Sequence, residues 1–102
     1  MAAVRVVVNY KVKPGREKDL FEGLRTVKGI VTTLGATAVT VSRQAFGAEA
    51  GNIFLVAQFP NWATFAKVSS DQEFQHLLEQ LRANPNPPIE AVVTSLNEEV
   101  SI

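Results

Sequence analysis

The stretch Val4-Arg5-Val6-Val7-Val8-Asn9-Tyr10-Lys11-Val12-Lys13-Pro14-Gly15 decides how the rest of the chain is read. It is rich in valine and it alternates. Val4, Val6, Val8, Tyr10 and Val12 fall on one side of an extended strand, and Arg5, Val7, Asn9, Lys11 and Lys13 on the other. The first side needs a core. Pro14-Gly15 closes the strand with a turn, and a helical pattern starts immediately after it.

Residues 16–34 carry Leu20, Leu24, Val27, Val31 and Leu34 at spacings of four and three, which is one helical face. Glu17 and Asp19 suit the positive end of that helix, and Gly35 suits the position just past its other end. Gly23 and Gly29 lie inside the helix, which suggests close packing against a sheet. Residues 37–46 alternate as a second strand, residues 47–52 form a hairpin loop, and residues 53–59 form a third strand that is apolar on both faces. Asn61 is placed to cap a helix that opens with Trp62 and includes Phe65. Ser70-Asp71-Gln72-Glu73 has the form of a capping box, so a second helical piece follows, with Phe74, Leu77, Leu78 and Leu81 as its buried stripe. Asn84-Pro85-Asn86-Pro87-Pro88 cannot continue a helix; residues 89–96 read as the last strand, and a polar tail follows.

The element order is β-α-β-β-α-β across one domain, residues 1–102. This is the ferredoxin-like α+β arrangement: an antiparallel sheet with two helices on one face. The helix-free face then carries Val7, part of the third strand and Val92, beside Asn9 and Thr40. A half-apolar open sheet face is well covered by a second copy of itself, so a symmetric homodimer of facing sheets is expected, with Arg5, Val7 and Asn9 on the dimer face.

Composition narrows the function classes. Ten basic and ten acidic side chains give a net charge of zero, and no global charge favours nucleic acid or an anionic membrane. The charge is uneven along the chain: residues 1–43 hold eight basic and three acidic side chains. There is no cysteine, which excludes disulfides, thiolate metal sites and a cysteine nucleophile and fits a reducing, cytoplasmic setting. The chain starts directly on a strand, without the pattern of a signal peptide, and no apolar run approaches the ~20 residues of a membrane span. No Ser-His-Asp order, phosphate-binding Gly-rich loop or spaced carboxylate pair is present.

This element order, the Lys13-Pro14-Gly15 turn after the first strand and Pro60-Asn61-Trp62-Ala63-Thr64-Phe65 opening a two-piece helix together resemble the dimeric α/β-barrel superfamily. Within it the layout is most like the small antibiotic-biosynthesis monooxygenases. The resemblance covers nearly the whole chain and is specific for the fold. It implies a homodimer and, for function, a cofactor-independent monooxygenase-like enzyme acting on a small hydrophobic or aromatic substrate; the alternative is a non-catalytic homodimer that binds a small ligand or another protein. Neither reading calls for a metal or an organic cofactor. The superfamily's haem-degrading branch uses an inward-facing strand-one Asn, a helical Trp and a His. Counted back from Gly15, the Asn position falls on Val8, with Asn9 one residue off; Trp62 comes too early, at the later place stands Val68, and His76 is out of register. These three departures argue against haem degradation.

Each candidate side chain has a structural and a functional reading. Tyr10, near the end of the helix-facing side, needs a hydrogen-bond partner, either within the fold or on a ligand. Trp62 and Phe65 are either core or the wall of an apolar cavity between helix and sheet. Arg43 makes an end-of-strand ion pair or binds an acidic substrate group. His76, the only histidine, is a surface or interface residue, or a general base or ligand. With no second histidine, a metal site is not expected. Asn9 bonds across the dimer or orients a ligand.

Overall fold

Strand β1 (Val4–Val12) lies between β3 (Ile53–Phe59) and β4 (Ile89–Glu98), and β2 (Ala38–Arg43) completes an antiparallel sheet of order β2-β3-β1-β4. The computed structural model describes residues 2–102. Helix α1 (Glu17–Thr33) connects β1 to β2, and the pair α2 (Trp62–Ser69) and α3 (Gln72–Ala83) connects β3 to β4. The second helix is thus two helices, giving β-α-β-β-α-α-β, a ferredoxin-like sheet with helices.

The alternation of β1 sets the core. Val4 pairs with Phe59, Val6 with Ala57, Val8 with Leu55 and Tyr10 with Ile53, so these eight side chains share one side of the sheet. Ile53 and Val4 are at most 1% exposed. Leu20, Leu24 and Val31 of α1 and Val68 of α2 complete the buried cluster. Each such burial contributes about 1.5–3 kcal/mol. On the opposite side of β3, Phe54, Val56 and Gln58 are half-buried.

Local chemistry ends the elements where the side chains demand it. Past α1, Gly35 at φ +122° donates to the Thr32 carbonyl and Ala36 to the Val31 carbonyl, a Schellman closure that requires the left-handed residue. Asn61 caps α2 through its side-chain oxygen, which accepts from the Thr64 amide at 2.9 Å. The cap of α3 is Asp71, which accepts from Phe74 N at 2.9 Å. Ser70, the first residue of the expected capping box, instead returns its hydroxyl to the Ala66 carbonyl.

Other expectations are corrected. Gly23 and Gly29 do not mark close packing: a Cβ at either would meet no heavy atom within 4 Å. β2 ends at Arg43, not at 46, because the chain turns into a loop closed by Gln44 and Asn52, leaving Phe46 almost fully exposed. The apolar stripe of α3 has no fully buried member, and Leu81 is exposed.

The last correction concerns β4. Ile89 opposes Val12 and Ala91 opposes Lys11, so Glu90 is an extra residue in the ladder. This bulge inverts the alternation of everything after it. Val92 opposes Tyr10 and Leu96 opposes Val6, which puts both on the helix side, and Val93 opposes Asn9 on the helix-free side. Val92 is therefore not on the open face; Val93 is. β4 also runs two residues further than expected, to Glu98.

Candidate functional site

On its core side, β4 presents Val92, Thr94, Leu96 and Glu98 in register with Tyr10, Val8, Val6 and Val4. All four β4 residues are exposed, with Val92 at 50% and Leu96 at 47%. β4 packs along β1 and no helix is laid on it. An apolar trough results, continuous with the core. It runs from the Tyr10–Val92 row to the Val4–Glu98 row, six residues or about 20 Å along the strands.

At the Glu98 end, the Trp62 indole N–H donates to Glu98 Oε2 at 2.5 Å, tying the start of α2 to the end of β4. The Trp62 ring meets Phe65 edge to face at 5.9 Å, and Phe65 meets Phe59 in the same manner at 5.7 Å. Trp62 is 45% exposed, so the core reading of this residue is wrong; it flanks the open end of the trough. Phe65 is half-buried against the core cluster.

At the other end stands Tyr10, flanked across the sheet by Ile53 and Val92. Its hydroxyl has no hydrogen-bond partner among the described residues, although Asn9, one position away, is fully engaged. Burial pushes the Tyr10 phenol up from 10.0 to about 12, so at neutral pH it is an uncharged donor. The sign of the stability effect follows. Below pH 10 the phenol is protonated in both folded and unfolded chains and stability is unaffected. Between pH 10 and 12 the unfolded chain ionises while the folded one resists, and stability falls by up to about 2.7 kcal/mol. Urea titrations should show that excess alkaline loss in the wild type and not in Tyr10→Phe. Parallel curves for the two proteins would contradict the burial.

The remaining candidates are dispersed. Arg43 shares the Tyr10 row but lies two strands away, about 10 Å across the sheet, and its guanidinium is held by Glu17 at the start of α1, with Nε to Oε2 at 3.2 Å. The pair is exposed and contributes at most about 1 kcal/mol. His76 is exposed on α3. Asn9 is on the helix-free side beside Arg5, Val7 and Val93, where its amide oxygen accepts from Asn52 at 2.9 Å and its amide N–H donates to Glu49 of the hairpin loop. Val8 faces the helices, in line with its register from Gly15. Trp62 and Phe65 therefore do not share a cavity with Tyr10. Two hollows elsewhere are better formed: one of about 200 Å³ beyond Val4, lined by Arg5, Gln58 and Asn97, and an open groove of about 380 Å³ between α1 and the start of α3. Among the described residues no three His, Asp or Glu side chains cluster as a metal site, and no helix is long and apolar enough to cross a membrane.

Val92, Leu96 and Glu98 are the site residues that sequence reasoning missed. The alternation Val92-Thr94-Leu96-Glu98 was visible, but its side of the sheet depends on the bulge at Glu90.

Among solved structures, SnoaB, a cofactor-independent oxygenase from Streptomyces nogalater, superposes with a TM-score of 0.75 over 100% of this chain and 97% of that one, at 13% identity. A dabb family protein with a ferredoxin-like fold from Mesorhizobium loti gives 0.74 over 99% and 100%, at 14% identity. The fold is that of the antibiotic-biosynthesis-monooxygenase-like proteins. A proposed antibiotic biosynthesis monooxygenase from Caulobacter crescentus agrees, with a TM-score of 0.75, 14% identity and coverage of 98% and 92%. No family model and no curated protein matches the sequence.

Proposed function

We propose that the chain is a cofactor-independent, monooxygenase-like enzyme that holds a small hydrophobic or aromatic substrate in the β1–β4 trough and works as a homodimer in the reducing cytoplasm. The observation that carries this reading is the half-exposed Val92–Leu96 strip on the core side of the sheet, between Tyr10 and Trp62. Apolar surface of that kind, continuous with a core and flanked by a few polar groups, suits an aromatic ligand. The oxygenase named among the structural neighbours supports the chemistry by analogy of fold.

In such a reaction a substrate CH₂ group loses a proton, and the resulting carbanion adds O₂. The hydroperoxide then takes up a proton and loses water to leave a carbonyl. The substrate supplies all four electrons, so no external reductant is consumed. Glu98 is the carboxylate beside the trough, held by Trp62. A second reading, a non-catalytic homodimeric binding protein, is favoured by the dispersal of Tyr10, Glu98, Arg43 and His76, which form no acid–base cluster.

The helix-free face, with Arg5, Val7, Phe54, Val56 and Val93, is the surface for the second copy. Native mass spectrometry tests both parts. The expected species is twice the 11.1 kDa chain, carrying a co-purified or added aromatic molecule. A monomer at micromolar concentration would remove the dimer, and failure to retain any of a panel of aromatic compounds would remove the trough. Oxygen consumption with the retained compound separates the enzyme from the binding protein.

A further inference from the structure

We infer that the ligand of this trough carries a neutral acceptor oxygen of the carbonyl kind, set in an apolar frame, and that Tyr10 donates a hydrogen bond to it. The inference deepens the reading above and rests on the trough being the ligand site.

The argument is one of unmet hydrogen bonding. Tyr10 is the only tyrosine of the chain, and its hydroxyl donates to nothing among the described residues. Yet no buried side-chain nitrogen or oxygen lacks a partner. The hydroxyl is therefore not a sealed orphan; it opens to the surface while its ring stays packed on the core cluster. Its row neighbours are Ile53 and Val92, and Val8 and Val12 flank it along the strand on the same side. None of these side chains can accept. A half-buried donor that the fold does not use is satisfied when a bound molecule supplies the acceptor.

Charge selects the kind of acceptor. An anionic ligand oxygen would need a cation, and the cation of this row, Arg43, is occupied by Glu17. Lys11, the adjacent basic residue, is on the other side of the sheet and pairs with Glu90 at 3.5 Å. Val92 and Leu96 offer only apolar contact to the rest of the ligand. The match is a neutral ketone-type oxygen on a flat hydrocarbon. A site of this kind discriminates against the analogue that lacks the oxygen, because binding the analogue leaves the donor unpaired away from water.

Fluorenone and fluorene provide the test, since they share one tricyclic frame and differ by the carbonyl. Equilibrium dialysis against wild type and Tyr10→Phe should show fluorenone binding about fivefold more weakly to the variant, the worth of one neutral hydrogen bond. Fluorene should bind both proteins alike, which also reports that the variant is folded. The infrared carbonyl stretch of bound fluorenone should lie lower in wild type than in Tyr10→Phe, a signature that a packing role for Tyr10 would not produce. Equal fluorenone binding and equal stretches overturn the Tyr10 assignment while leaving the trough intact. If neither compound binds wild type, the trough reading falls, and this inference with it.

Discussion

Ile53→Ala should lower the stability of this protein by about 3 kcal/mol or more, the largest effect expected of any single truncation. Ile53 is 0% exposed and opens β3, with Tyr10 on one side and Arg43 on the other. Removing its branched side chain forfeits the transfer energy of the lost carbons and leaves a cavity between sheet and helices. A domain of this size has roughly 5–15 kcal/mol in total, so the loss is a large fraction. The urea midpoint should fall with the slope unchanged, and Tm should drop by roughly 15 °C. A cost below about 1 kcal/mol would mean that Ile53 is not the packing centre its burial makes it.

Leu96→Asp is expected to abolish uptake of apolar ligands while leaving the fold nearly intact. Leu96 is half exposed, so replacing it alters stability by less than about 1 kcal/mol. In the bound state, however, the new carboxylate would be stripped of water against an aromatic frame, which should weaken affinity at least tenfold. Val93→Asp is the matched control: the same strand and the same charge, on the opposite side of the sheet. It should leave ligand affinity alone and weaken self-association, as read by sedimentation. If the two substitutions gave the same phenotype, the trough and the helix-free face would not be separate surfaces.

The fold was legible because β1 states its two sides without ambiguity. Val4, Val6, Val8 and Tyr10 alternate with charged or amide residues at three of the positions between, and one long strand read this way orients the sheet around it. Turn and cap chemistry then placed α1, β3 and α2. The site was less legible, for two physical reasons. An extra residue in a ladder leaves no mark on local alternation, so Glu90 concealed which side Val92 and Leu96 occupy. Whether an aromatic is core or rim depends on what is laid over it. Trp62 has the composition of a core residue, and its indole N–H reaches out to Glu98, a residue that reads as tail. Tyr10 was placed on the correct side, but only the structure could show that the fold supplies it no acceptor.

The sheet order leaves β4 at the margin, ten residues long, with its outer backbone amides and carbonyls unpaired. Apolar side chains stand exposed on both of its sides, Val92 and Leu96 on one and Val93 on the other. A long margin of this kind is a template on which any extended segment can grow a further strand, including the same strand of another molecule. Glu90 and Glu98 bracket the apolar stretch with like charges that repel a second copy in register. The solubility of this neutral protein thus depends on two carboxylates. Acidification that protonates them should start precipitation at β4 before the core loosens.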